Sequence, residues 1–197
     1  MFSKNPPQHR LYLGLANFAA IGAAGFWLFG AMSNCVQAEI VPDDTLGNES
    51  SVVNSFAPNL NSIDGGATRG NNLFHSFEKF SIDNGQGVLF TNPNGIENII
   101  SRVTGGSRSE ILGDLGVLGN ANLFLVNPSG IIFGPNAKLL TGGSFVATTA
   151  DAIGFGDQGL FSVSVPDTPQ LLTVKPSALL FSLIASQPIT DQSTAVL

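Results

Sequence analysis

A single cysteine, a single tryptophan and a single tyrosine occur among 197 residues, and only 11% of the chain is charged. One thiol excludes a disulfide framework and a zinc-finger ligand set. Eight cations against 14 acids leave a net charge of −6. Nucleic-acid binders need a basic stripe to track phosphates, so no nucleic acid is expected as a partner. The charge density is equally too low for an acidic disordered tail. Helix-forming stretches are scarce beyond the first 38 residues. Gly113, Gly116 and Gly119 recur every three residues, each weakening a helix by roughly 1 kcal/mol relative to Ala. Pro93, Pro128, Pro135, Pro166, Pro169, Pro176 and Pro188 interrupt much of the rest.

The rare residues are concentrated at one end. Residues 1–10 carry Lys4, His9 and Arg10 and no acid, and Leu11–Met32 is uncharged and mostly apolar. Val36-Gln37-Ala38 then precedes Glu39. A basic start, an apolar stretch and a small-residue site predict a signal-peptide helix over residues 1–38, cleaved between Ala38 and Glu39. The alternative is a membrane anchor through 11–32, which is long enough to span a bilayer. Gly14, Gly22, Gly25, Gly30 and Asn17 weaken that alternative, and Asn34 before Cys35 disfavours lipoprotein processing. Cleavage removes Cys35, Trp27, Tyr12, Lys4 and Arg10, leaving six cations against 14 acids, a net of −8. Every remaining aromatic is then Phe. Such a chain has no thiol for an oxidising compartment to trap.

What the chain does have is a series of short apolar runs bounded by Gly, Pro and Asn. They are Ser51–Phe56, Gly87–Thr91, Ile96–Ile100, Asn122–Val126, Gly130–Phe133, Ser144–Thr148, Leu160–Val165, Leu171–Val174 and Ala178–Ile184. Runs of this length and punctuation read as strands. Several are continuously apolar, which suits strands covered on both faces or lining a narrow core. Leu73–Phe80, with Phe at three-residue spacing, is expected to be irregular. Phe90-Thr91-Asn92-Pro93-Asn94-Gly95-Ile96 recurs as Leu125-Val126-Asn127-Pro128-Ser129-Gly130-Ile131. In Asn-Pro-x-Gly the residue before Pro is held extended, Pro presets the turn and Gly supplies a positive φ. A strand, a tight corner and another strand, used twice, predict stacked coils of a solenoid.

Chemistry-bearing residues are sparse. The acids, including Asp43, Asp44, Asp64 and Asp114, are scattered, and Asp43-Asp44 reads as a solvated pair. His75 is the one histidine after residue 38 and lies between Phe residues, where a packed ring is expected. No catalytic, cofactor-binding or metal-ligating set is therefore expected, and no cofactor. Arg69, Arg102 and Arg108 read as solvated surface charges. The mature Phe residues read as core rather than as a sugar platform.

The ordered set of Asp64-Gly65-Gly66, Arg69-Gly70-Asn71-Asn72-Leu73-Phe74-His75-Ser76-Phe77, Asn92-Pro93-Asn94-Gly95-Ile96, Arg102-Val103-Thr104-Gly105, Gly119–Gly134, Gly142–Thr149 and Pro176–Phe181 resembles the filamentous haemagglutinin N-terminal domain, the secretion domain of two-partner secretion exoproteins. The resemblance covers about residues 39–185. It implies an all-β, right-handed parallel β-helix with an N-terminal cap, while the scattered acids and lone His75 argue separately against an enzyme. It also implies Sec export, then recognition by the periplasmic domains of an outer-membrane β-barrel transporter that delivers the chain to the cell surface, with membrane contact only during export. The family's usual motifs are NPNL and NPNGI. Here Asn92-Pro93-Asn94-Gly95 has Gly in place of Leu, and Asn127-Pro128-Ser129-Gly130 has Ser in place of Asn, so each motif is a transporter contact or a corner. Residues 186–197 form a short tail, with the family's long passenger region missing. A stand-alone carbohydrate-binding adhesin is the alternative function; a polysaccharide-active β-helix enzyme is the less favoured one.

Overall fold

In the computed structural model the described residues are 39–182 and 187–195. The expected leader, with Val36 and Ala38, and the alternative anchor lie outside them. Among the described residues no helix is long and apolar enough to cross a membrane. Gly and Pro restrict regular structure to strands of three to nine residues, with one short 3-10 turn at Gly156–Gln158.

The chain opens with β1 (Ile40–Pro42) and β2 (Ser51–Ala57). β3 (Leu60–Gly65) runs antiparallel to β2, and β4 (Ala67–Arg69) runs antiparallel to the first part of β5 (Asn72–Phe80). β1 pairs antiparallel with the last part of β5. These antiparallel strands cap the first coil, where parallel edges would otherwise be open.

Parallel pairing takes over from there. The second coil is β6 (Gly87–Thr91), β7 (Asn98–Val103) and β8 (Ser109–Ile111). The third is β9 (Asp114–Leu118), β10 (Asn122–Val126) and β11 (Ile131–Phe133). A fourth begins with β12 (Lys138–Leu140) and β13 (Phe145–Thr148). The stacks β3-β6-β9-β12 and β5-β7-β10-β13 form two faces, and β8-β11 forms the third. The expected parallel β-helix is present, as a solenoid of about three turns.

After β13 the chain leaves the coil. β14 (Ala152–Gly154) pairs antiparallel with β15 (Leu160–Ser162) and β16 (Ala178–Leu180). It then returns as β17 (Ile189–Asp191), which lies parallel to β11 where a fourth-coil strand would stack. The segment after 185 therefore contributes to the third face.

Two cores follow from this path. Leu73, Phe77, Ile99, Val103, Leu123 and Leu125 point into the coil interior with Phe80, Phe90, Ile111 and Ile131. Phe74, Ile100 and Val126 point the other way and meet Ile153, Phe155, Phe161 and Leu172 of the excursion. Burying each Phe there stabilises the fold by roughly 1.5–3 kcal/mol. Strands covered on both faces have no polar face, which explains the continuous apolar runs.

Leu73–Phe80 is not irregular: it lies within the longest strand of the described fold, β5. Phe74 and Phe77 lie on opposite faces by ordinary alternation, and the step from Phe77 to Phe80 arises from a bulge. Val41 pairs with Lys79 but Pro42 pairs with Phe77, so Glu78 is the extra residue, and Phe77 and Phe80 both reach the interior. Leu171–Val174 is not a strand; Leu172 is buried against the outer face of the coil while Leu171 is exposed.

Candidate functional site

The two Asn-Pro-x-Gly motifs are both corners, but different ones. Asn92–Gly95 joins β6 to β7, whereas Asn127–Gly130 joins β10 to β11. Their separation is therefore more than one coil, and they do not stack on each other.

At the first corner Pro93, Asn94 and Gly95 are exposed. Gly95 takes φ +86°, and the Ile96 N–H closes the turn on the Pro93 carbonyl at 3.2 Å. Ile96 then drops into the interior. With its amide oriented to satisfy both ends, Asn92 donates to the carbonyls of Pro93 and Ile96 and accepts from the Ala121 N–H of the next coil at 3.2 Å. Gly119 lies against it: a Cβ there would come within 2.6 Å of the end of the Asn92 side chain. Asn92 thus anchors the corner, and Pro93-Asn94-Gly95 projects from it.

The second corner is closed. Asn127 is fully buried. Its amide donates to the Ser107 carbonyl at 3.0 Å and Ser109 Oγ at 2.9 Å, and its Oδ1 accepts from the Ser129 N–H at 2.9 Å. Its own N–H donates to the Thr148 carbonyl. Gly130, at φ +103°, sits beneath Gln187 and Pro188, and the Ile131 N–H donates to the Pro188 carbonyl at 3.3 Å. The returning C-terminal segment covers this corner.

A coil-periodic signal lies elsewhere. Asn72, Asn98 and Asn122 occupy equivalent positions in successive coils. Asn98 donates to Asn72 at 2.9 Å across 26 residues, and Asn122 donates to Asn98 at 3.0 Å across 24. Asn72 caps the ladder by donating to the Leu172 and Val174 carbonyls, both at 2.7 Å. The signal was present as Asn72-Leu73-Phe74, Asn98-Ile99-Ile100 and Asn122-Leu123-Phe124. The Asn-Pro-x-Gly likeness masked it.

Arg102 is fully buried, contrary to the solvated reading. Nε donates to Ser76 Oγ at 2.9 Å, and the terminal nitrogens donate to Thr45 Oγ1 and to the carbonyls of Ser162 and Asp167. Its guanidinium carbon lies 4.1 Å from the Phe161 ring centroid. Ser76 and Thr45 pass their own protons to Asp43, at 2.8 and 2.6 Å, and Thr104 adds another bond at 2.6 Å. Two hydroxyls therefore link a buried cation to a carboxylate, tying the cap, two coils and the excursion together. Burial lowers the Arg102 pKa to about 10, against the opposing charges of Asp43 and Asp167. Burial raises the Asp43 carboxyl, but the hydroxyls of Thr104, Thr45 and Ser76 outweigh it and hold it below its ordinary value. Asp43 is thus a half-buried structural acid rather than a solvated one.

Arg69 also serves the excursion. It makes a bidentate pair with Glu49, at 3.0 and 2.6 Å, and its Nε donates to the Pro169 and Gln170 carbonyls. Arg108 is the surface cation expected, paired with Glu110.

His75 is packed as expected. It lies between Phe77 and Phe90, with Nδ1 3.0 Å from Ser51 Oγ. Burial lowers its pKa to about 3, so the ring is neutral. Ser51 and His75 are both buried, so their contact holds β2 on β5 rather than facing a substrate.

Glu39 is the first described residue: it is exposed, accepts from Lys79 Nζ at 2.8 Å, and its carbonyl accepts from the Ser81 N–H.

No curated protein matches the chain. Among solved structures, the crystal structure of filamentous hemagglutinin secretion domain aligns at 23% identity and a TM-score of 0.49, covering 59% of this chain and 44% of that one. The chain therefore spans less than half the length of that protein. The family model described as the TPS secretion domain matches residues 38–194, from just before the cap to just beyond β17, and the chain belongs to this two-partner secretion domain family.

Proposed function

We propose that the domain beginning at Glu39 is the export signal of a two-partner secretion exoprotein, read by the periplasmic domains of an outer-membrane β-barrel transporter. The observation that carries this reading is the family match over residues 38–194, which takes in nearly the whole described fold. Sec export followed by cleavage between Ala38 and Glu39 leaves β1 intact, because that strand starts at Ile40. The product then belongs outside the cell, at the outer surface.

The two corners divide the work in this proposal. Asn127, with every amide hydrogen bond inside the fold, shapes the chain. Pro93-Asn94-Gly95 is exposed, and among the described residues the Asn94 side chain has no hydrogen-bond partner, so it is the motif offered to the transporter. The test is secretion of the full chain in a reporter strain with and without the partner barrel. Barrel-dependent appearance in the medium is expected; barrel-independent appearance overturns the reading. Asn94→Ala should reduce export while leaving the unfolding midpoint in place, and unchanged export removes the first corner from recognition.

A further inference from the structure

A concave cleft of about 540 Å³ lies where successive coils turn into the first face, with the β2–β3 hairpin at one end. Four consecutive rungs build it in register: Leu60 lies beside Gly87, Gly87 beside Asp114 and Asp114 beside Lys138. The groove therefore runs along the solenoid axis, and at about 4.8 Å per rung its length is about 14 Å.

Its floor is backbone. Gly113 packs against the carbonyls of Gln86 and Asp83, so closely that a Cβ has no room. Gly85, at φ +77°, faces open space. Asn136 reaches Asn84 two coils away, its amide donating to Asn84 Oδ1 at 3.0 Å. That amide pair forms a wall of the cleft.

The remaining polar lining is unspent. Among the described residues, the side chains of Asn59, Gln86, Asp114 and Lys138 have no hydrogen-bond or ion-pair partner. Asn59 and Gln86 each offer a donor and an acceptor, Asp114 an acceptor and Lys138 a donor. One Asp and one Lys cancel, so the lining has no net charge to select a phosphate or a polyanion. Only Pro58 and Leu60 are apolar, too few for a lipid or for the apolar anchors of a peptide.

We infer that this groove binds a neutral oligosaccharide in extended form. Amide and carboxylate side chains pair with vicinal hydroxyls, which are donors and acceptors at once. The rung spacing is close to the length of one hexose along an extended glycan, so successive rungs meet successive sugars. The lack of an aromatic platform points to weak binding. None of the lining residues belongs to either Asn-Pro-x-Gly corner, and the inference does not depend on the export reading.

The test is calorimetric titration of the full chain with maltotetraose, cellotetraose and chitotetraose, with side-chain amide shifts followed by NMR. At least one probe should bind at millimolar concentration and move the amides of Asn59, Gln86 and Asn136. Gln86→Ala combined with Lys138→Ala, both at the surface, should weaken that binding by about tenfold, as expected for two lost hydrogen bonds. Asn94→Ala should leave it unchanged. No binding of any probe, or binding indifferent to the double variant, overturns the inference. If the groove variants abolish export while no saccharide binds, the cleft belongs to the transporter and the inference also fails.

Discussion

The corner at Asn92–Gly95 and the corner at Asn127–Gly130 share Asn, Pro and Gly at the same spacing, yet they are different objects. At the first, only Asn92 is engaged by the neighbouring coil, and the three residues after it are exposed. At the second, Asn127 is fully buried and the Gln187–Pro188 segment lies over Gly130. The turn-forming residues are the same in both, although the first closes from the Ile96 N–H to the Pro93 carbonyl and the second from the Gly130 N–H to the Asn127 carbonyl. What also differs is the chain around them: the C-terminal segment returns to the third face and closes one corner only. A motif can thus encode a turn without encoding whether that turn is structural or presented.

The largest difference should come from Asn127→Ala. It strands the Ser129 N–H and removes the donors to Ser107 and Ser109 in a buried site, a loss of about 2–4 kcal/mol in denaturant unfolding. A loss no greater than that of an exposed variant would break the contrast. Acidification should act on the other side of it. His75 packs on Phe90, two residues before the first corner, and its folded pKa of about 3 lies below the ordinary 6.5. The unfolded chain binds the proton first, so stability is full above about pH 6.5 and falls as the pH drops toward about 3. The slope should be on the order of 1 kcal/mol per pH unit, and His75→Gln should flatten it. Hydrogen exchange should show the first coil, which carries His75 on β5, opening first.

Removing residues 187–197 should have a smaller, local effect. The Ile131 N–H loses the Pro188 carbonyl, so its exchange protection should fall while that of Ile96 holds. Equal loss at both corners would mean that the tail supports the whole solenoid. The smallest effect is expected at Asn94→Ala, within about 0.5 kcal/mol, because the side chain is exposed and unpaired. A large destabilisation there would make the first corner structural as well.

Much of the fold was legible because strand punctuation is local. Gly87–Thr91 and Asn122–Val126 were read with their observed bounds, since Gly, Asn and Pro frame them in the sequence. β5 was not, because its step from Phe77 to Phe80 reflects a bulge against β1, a strand more than 30 residues away. The coil repeat was visible in Asn72, Asn98 and Asn122 but hidden by a more conspicuous likeness between two unrelated corners. Arg102 was unreadable in principle: an isolated arginine in sequence is ordinarily solvated, and its partners Thr45, Ser76, and Ser162 with Asp167 come from three separate segments.

The sequence by itself determined the solenoid, the two tight turns, the thiol-free composition beyond residue 38 and the family. Each of these rests on residue type and short spacing. Only the tertiary structure decided which corner is sealed, that an excursion covers the outer face of β5, β7 and β10, and that an arginine lies buried beneath it. Those outcomes depend on where the chain goes after it leaves the coil at β13, and burial is set by which distant segment arrives to exclude water.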